Sequence, residues 1–486
     1  MMQTIVEALH ELAGDGRTVL VDGTHRVPGA TLHDQACGLA TDLAGRLPRG
    51  SVVSFMLPNW SEAAVVYLGA LLAGMVVNPI LPSLRDRELA FILADADCRM
   101  IFIPRTFRGH DYVAMLSRVT ADMAAPPEIV VVRDSTLPKA AAPPEFPAVV
   151  PEDPTLLLYT SGTSGRAKGV LHSHNSIGAL IRQLRDHWLI EPGDTFLVPS
   201  PVAHIGGSIY AFECPLLLGT TAVLMDRWNA DDAVGLMVAE RCTHMAGATP
   251  FLEQILDAAE RAGTRLPDLK VFICGGASVP PALIRRATAY FDGAKVSRVY
   301  GSTEVPVTTV GALGDPDAAA DTDGRPGLAD IRLVDGEIRV RGPQMLLGYR
   351  HAHDESRDAE GYFRTGDLGR WDGDCLVVTG RAKDIIVRNG ENIAPKEVED
   401  ILSGHPGIAE IAIVGLPDER TGERACAVIV PAAGARPGIE DLQTFLAGKG
   451  IARFKIPEQV EMWDALPKND AGKVLKHQIR ARLTCR

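Results

Sequence analysis

The chain predicts an α/β fold on three observations. Apolar runs of strand length alternate with helical stretches, glycine and hydroxyl clusters follow several of those runs, and after Asp321 the texture changes to short strands punctuated by glycine. Alternation of strand and helix implies parallel sheets covered by helices on both faces. Ligands in such folds bind in the loops that follow strand C-termini.

A strand over 52–57 precedes a helix from Ser61. The run 195–199 precedes a helix near Gly207, and 221–225 precedes one over 231–240. The run 269–274 leads into a helix over 280–291, and a strand over 297–300 follows. Beyond Asp321, alternating runs at 331–334, 337–341 and 375–379 read as a small β-barrel or meander attached to the main body. Past Gly380 a compact α+β unit is expected, with helices over 395–402 and 439–448 and strands over 409–414 and 425–430. A domain boundary falls near Lys383, dividing residues 1–382 from 383–486. Residues 135–154, rich in Pro and Ala, read as a surface connection.

With 486 residues the chain exceeds one typical domain, and 46% hydrophobic with 23% charged residues is ordinary composition for a protein with a large core. A formal charge of −12 argues against nucleic acid as a partner, because a duplex binder carries a basic face. Eight cysteines without a Cys-x-x-Cys pair favour reduced thiols over a disulfide frame or zinc site. No basic segment leads into an apolar core at the N-terminus, so no secretory signal is expected. The longest apolar stretch, 63–77, is 15 residues, short for a membrane span and better read as a buried helix plus strand. A cytoplasmic location is the expectation.

Residues 157–170 carry the most specific signal. An apolar run ends in Thr160, Ser161, Gly162, Thr163, Ser164, Gly165, Arg166, Ala167, Lys168 and Gly169. Glycines let backbone N–H groups approach anionic oxygens, and the hydroxyls and Lys168 add donors and positive charge. A plain surface loop has similar composition; entry from an apolar strand and the closing lysine favour phosphate. The spacing is not that of the P-loop.

This loop resembles the signature loop of the adenylate-forming superfamily, which includes acyl-CoA synthetases, peptide-synthetase adenylation domains and luciferases. Further segments match in the same order: Tyr-Gly-Ser-Thr-Glu at 300–304, Gly-Glu-Ile-Arg-Val-Arg-Gly at 336–342, Thr-Gly-Asp at 365–367, Gly-Arg-Ala-Lys-Asp at 380–384 and Asn-Asp-Ala-Gly-Lys at 469–473. The resemblance implies a large N-terminal domain of two helix-covered sheets plus a small β-barrel, and a small mobile C-terminal domain. It also implies ATP, Mg2+ and CoA as the small molecules handled, with a carboxylic acid as substrate.

A carboxylate is a poor electrophile, so coupling it to a thiol needs a better leaving group, and AMP provides one. Both reactants are anionic, and positive charge must lie between them. By resemblance Lys473 bridges carboxylate and α-phosphate, Glu304 is the magnesium-linked carboxylate, and Thr303 contacts the α-phosphate. Asp367 is expected to accept from the ribose hydroxyls, with Arg381 nearby. Tyr300 is expected to stack on adenine, with Gly276 and Ala277 as a thin wall and Gly301 and Ser302 beside them. Lys383 matches the hinge position, and Gly390 the tunnel for the pantetheine arm.

His204 sits where relatives place an aromatic residue or histidine beside the substrate carboxylate. Ile205, Gly206, Phe251, Gly275 and Ser302 suggest an apolar acyl pocket. Peptide-synthetase domains of the family place an aspartate in this region for the substrate's amino group, and none occurs between Pro201 and Tyr210, so the resemblance disfavours free amino acids. Two departures from the common motif, Ser164 for threonine and Ala167 for proline, leave ATP binding intact. Free CoA and a carrier-protein phosphopantetheine present the same thiol arm, so both acceptors stay open. A luciferase-like oxygenase and a noncatalytic nucleotide-binding module are more distant alternatives.

Overall fold

The computed structural model describes residues 3–134, 137–138, 149–160, 167–276, 279–351, 356–388, 391–418, 420–469 and 472–484. Two seven-stranded sheets form the main body. The first runs Lys295–Arg298, Val271–Cys274, His244–Gly247, Thr195–Val198, Thr221–Leu224, Thr18–Asp22 and His25–Pro28, parallel except for its last pair. The second runs Gly348–Tyr349, Lys168–Ser173, Pro154–Thr160, Val76–Pro79, Val52–Phe55, Cys98–Pro104 and Glu128–Val132. There the first three strands pair antiparallel and the rest parallel.

The expected strand-helix pairs are present. Val52–Phe55 precedes Ser61–Leu72, Thr221–Leu224 precedes Ala230–Ala239, and Val271–Cys274 precedes Pro281–Tyr290. The 15-residue apolar stretch divides into a helix buried from Ala63 to Leu72 and the buried strand Val76–Pro79. Among the described residues no helix is long and apolar enough to cross a membrane. The strand expected over 297–300 instead spans Lys295–Arg298, which leaves Tyr300 in the loop beyond the strand end.

Of the two readings for the β unit after Asp321, the structure takes the meander. Asp330–Val334, Glu337–Arg341, Phe363–Asp372 and Cys375–Arg381 pair antiparallel in that order. The C-terminal unit has a sheet of five strands, in which Gln459–Met462 pairs parallel with Gly422–Pro431. Alternation along Ile408–Asp418 places Ile413 in one core with Ile386, Val398 and Leu446, and Val414 in another with Val428 and Ile479. The seven described cysteines are buried and unbonded, and burial pushes the thiols of Cys242, Cys274 and Cys426 up to about 12.

One helical stretch departs from regular geometry. Ile205–Ser208 and Cys214–Leu217 are α-helical, and Ile209–Glu213 between them forms a π-turn, closed where the Cys214 N–H donates to the Ile209 carbonyl. A π-turn inserts one residue into the helix and re-aims its side chains. Glu213 is fully buried there. Its Oε1 accepts from the Tyr67 hydroxyl, and its Oε2 has no partner among the described residues. Burial pushes this carboxyl up to about 7 from an ordinary 4.5.

Between those values the folded state holds a proton the unfolded chain has lost. Stability therefore falls as pH rises through that window, by up to about 3 kcal/mol. Glu213→Gln keeps an acceptor for Tyr67 and removes the ionisation. Its thermal midpoint is expected to match wild type at about pH 5 and to exceed it at about pH 7.5. A gap that does not change with pH would overturn this account.

Candidate active site

The loops after the strand C-termini converge with the meander and the C-terminal unit on one charged cluster. Asp367 lies in the strand Phe363–Asp372, paired in register with Arg381 of the neighbouring strand. The side chains meet: Arg381 Nε lies 2.8 Å from Asp367 Oδ1, and the Tyr300 hydroxyl donates to Asp367 Oδ2 at 2.7 Å. Thr365 Oγ1 accepts from the Asp367 N–H at 3.0 Å and fixes the turn at Gly366. Asp367 is only 5% exposed, so its charge is compensated locally by Arg381. Burial, with Asp367 beside it, holds the Tyr300 phenol well above its ordinary range.

Lys473 joins this cluster from the C-terminal unit. Its turn is closed on Asn469, whose Oδ1 accepts from the Lys473 N–H at 2.8 Å while the Asn469 N–H donates to the Lys473 carbonyl at 2.9 Å. Gly472 adopts φ +77°, a conformation that favours glycine, and a Cβ there would lie 3.5 Å from Pro250 of the main body. The turn is therefore seated against the helix Thr249–Ala262. Burial, with Arg381 close by, pulls the Lys473 ammonium down to about 8, while Asp367 opposes the shift. Lys383, in the short 3-10 turn Ala382–Asp384, is lowered by burial and by Arg381.

A second group forms around Glu304. The Tyr349 hydroxyl donates to Glu304 Oε1 at 3.1 Å, and Lys168 Nζ stands 4.9 Å over the Tyr349 ring. Buried His172 is 2.7 Å, through Nε2, from the Thr303 carbonyl and so ties the 300–304 segment to the strand carrying Lys168. Ser302 closes the turn through its backbone and side-chain bonds to Val305. A Cβ on Gly301 would stand 2.6 Å from the Val307 nitrogen, so this position holds only glycine. Among the described residues no group of three or more His, Cys, Asp or Glu side chains is arranged to hold a metal. A divalent ion carried on polyphosphate needs only one or two carboxylates, which Glu304 fits.

Thr160 and Lys168 pair across the ends of the strands that flank the hydroxyl-rich loop. Ser161, Gly162, Thr163, Ser164 and Gly165, together with Ala277 and Gly390, lie outside the described residues. Gly276 is exposed at the end of the first sheet. His204 precedes the π-containing helical stretch, with Ile205 and Gly206 half-buried at its start. A Cβ on Gly207 would lie 2.1 Å from the Pro201 carbonyl oxygen, so this helix start is clamped onto the preceding loop. Gly275 faces Val299, whereas Phe251 turns to the other side of the sheet and packs edge-on against Trp228, ring centroids 4.5 Å apart.

Tyr349 and His172 were not anticipated from sequence. A tyrosine at a strand end and a histidine inside an apolar strand carry no local signal. Their roles arise from strands more than a hundred residues apart coming together, as the Tyr349–Val170 and His172–Thr303 contacts show.

With this geometry in place, comparison with known proteins is decisive. The profile of the AMP-binding enzyme family matches residues 11–350, and that of the AMP-binding enzyme C-terminal domain matches 397–473. The chain belongs to the AMP-binding enzyme family. It is an adenylate-forming enzyme of the acid–thiol ligase class. The chain is 34% identical over 479 residues to the medium-chain fatty-acid–CoA ligase of Escherichia coli strain K12, covering 92% of this chain and 84% of that protein. It is 31% identical over 459 residues to the long-chain-fatty-acid–CoA ligase FadD13 of Mycobacterium tuberculosis, covering 89% and 88%. The crystal structure of ATP-bound MatB from Rhodopseudomonas palustris superposes with a TM-score of 0.89 at 25% identity, over 100% of this chain and 99% of that one.

The position of Lys473 in the cluster has a titratable consequence. Its amine is charged below about 8 and neutral above, so attraction for an anionic ligand is lost as pH rises through that value. The dissociation constant for AMP is expected to rise between about pH 7 and about pH 9.5 in the wild type and to stay flat in Lys473→Arg, whose guanidinium does not titrate there. Parallel profiles for the two proteins would refute it.

Proposed function

We propose that this chain is an ATP-dependent carboxylate:CoA ligase that works through an acyl-AMP and takes a fatty, alicyclic or other apolar acid. The observation that carries the reading is the convergence of Tyr300, Asp367 and Arg381 with Lys473, which puts a polyol-binding carboxylate and a catalytic-type amine in one electrostatic cluster.

In the first half-reaction a carboxylate oxygen attacks the α-phosphorus of ATP. The bond to the bridging oxygen of the β-phosphate breaks, and pyrophosphate leaves. Asp367 binds the ribose hydroxyls with the lone pairs left beside Tyr300 and Arg381, since a carboxylate has about four acceptor sites. Lys473 lies between the two anions and offsets charge that grows in the transition state. Lys168 and the 160–165 hydroxyls hold the outer phosphates, and Thr303 the α-phosphate. Mg2+ arriving with ATP would be held by Glu304 and would neutralise phosphate charge. His204 borders the carboxylate, and adenine lies between Tyr300 and the Gly276–Ala277 segment.

In the second half-reaction the CoA sulfur attacks the acyl carbonyl, the bond to AMP breaks, and the thiol proton leaves to solvent. Rotation at Lys383, between domains 1–382 and 383–486, withdraws Lys473 and brings the Gly390 loop toward the acyl-adenylate. The Asp384–Arg480 ion pair at 3.3 Å lies directly beside that pivot and moves with the C-terminal unit.

A panel of carboxylic acids with ATP and Mg2+, followed by pyrophosphate release with and without free CoA, tests the reading. Turnover that continues only with CoA supports the ligase, and turnover that requires a phosphopantetheinylated carrier protein selects the other acceptor. Lys473→Ala is expected to slow adenylation by about 10² or more while nearly sparing thioester formation from supplied acyl-AMP. An equal fall in both half-reactions would remove Lys473 from the adenylation step.

A further inference from the structure

Space opens beside the start of the helical stretch at Ile205, where a Cβ on Gly206 would meet no atom within 4 Å. Side chains alternate along the strands of the first sheet. Phe196, Val198, Ala246 and Ile273 share a core with Ile209 and Tyr210, whereas Leu197, Met245 and Phe272 belong to the core on the opposite face. Register places Phe196 beside His244 and Ala246 beside Ile273. Two rows therefore face the helix, a lower one of Phe196 and His244 and an upper one containing Ala246 and Ile273.

The lower row is aromatic and closed. Tyr210 stacks on Phe196 at 5.2 Å with 9° between the rings, and Phe196 stacks on His244 at 4.8 Å. Trp188 lies 6.2 Å from Tyr210 on the far side. The upper row pairs a small residue, Ala246, with Ile273, and Gly275 and Gly206 stand at the rim. Exposure follows the same gradient. Ile205, Val299 and Val307 at the rim are partly exposed, while Ile209 is 1% and Tyr210 5% exposed.

We infer that Tyr210 is the floor of the acyl pocket and sets the length of acid the enzyme accepts, an inference that rests on the ligase reading above. From His204 to Tyr210 is six residues of helical rise, a depth of about 9 Å. From Gly247 at the strand end back to His244, three residues give about 10 Å. An extended alkyl tail of about seven carbons fills that depth. The substrate class is thus a medium-length or equally compact apolar acid, and longer tails meet the Tyr210 ring.

The test is the chain-length profile of pyrophosphate release for straight-chain acids, with wild type, Tyr210→Ala and Tyr210→Leu. In the wild type kcat/KM is expected to rise by about fourfold per methylene up to about eight carbons and to fall beyond. Tyr210→Ala should move the optimum to longer acids, and Tyr210→Leu should move it less far. The KM for ATP should hold in both, which a general loosening of the fold would not allow. Ala246→Leu, which fills the upper row, should shorten the optimum and supplies an independent reading if the Tyr210 variants do not fold. A wild type that takes hexadecanoate as well as octanoate would overturn the inference, as would a profile unmoved by Tyr210→Leu and Ala246→Leu. Failure of every acid to release pyrophosphate would instead sink the ligase reading itself.

Discussion

The site depends on one buried carboxylate. Asp367 takes the Tyr300 hydroxyl on one oxygen and Arg381 on the other, and each partner comes from a different part of the chain. Removing a buried charge from water costs several kcal/mol unless the partners are well placed. The loop beyond the end of the first sheet and two neighbouring strands of the meander must therefore meet with correct geometry for that charge to be matched. Burial, with Arg381 of this cluster close by, lowers the Lys473 ammonium while Asp367 opposes the shift, so a group on a separate core is coupled electrostatically to the main body.

Net charge misleads about such a site. The chain carries −12 overall, yet Arg381, Lys383 and Lys473 come from two separate segments to one region. Arg381 acts on both lysines, and Asp367 and Asp384 offset it. Lys168 lies over the Tyr349 ring, and Arg381 is paired with Asp367. The arrangement suits a small polyanion whose charge is spread over several phosphates.

Much of this was legible in the sequence because the deciding signals are local. The strand-helix alternation followed from apolar runs bounded by glycine and proline, and helices such as Pro395–Leu402 and Ile439–Gly448 lie where their periodicity put them. The candidate residues Asp367, Arg381 and Glu304 could be named from short motifs. What sequence did not reveal is set by distant pairing. The hairpin Ile386–Arg388 with Glu391–Ile393 is too short for a periodic signal. Strand Phe363–Asp372 mixes charged residues with glycine, because a meander needs only one buried face. Phe251 looked like a pocket wall because it is large and apolar, but it stands in the first turn of the helix Thr249–Ala262 and packs against Trp228. The π-turn at Ile209–Glu213 was not expected, and its Glu213 meets Tyr67 nearly 150 residues earlier.

The seven buried cysteines acquire a meaning from the chemistry proposed for the site. An acyl-adenylate is a mixed anhydride, and any accessible thiolate competes with the intended acceptor for its acyl group. Here the sulfurs of Cys242, Cys274 and Cys426 are kept protonated by their apolar surroundings and lie inside the cores. Cys274 ends a strand whose next residue is Gly275, yet its side chain points into the core on the opposite face from the pocket. Among the described residues, then, no cysteine sulfur is exposed to compete with a thiol acceptor for an activated acid.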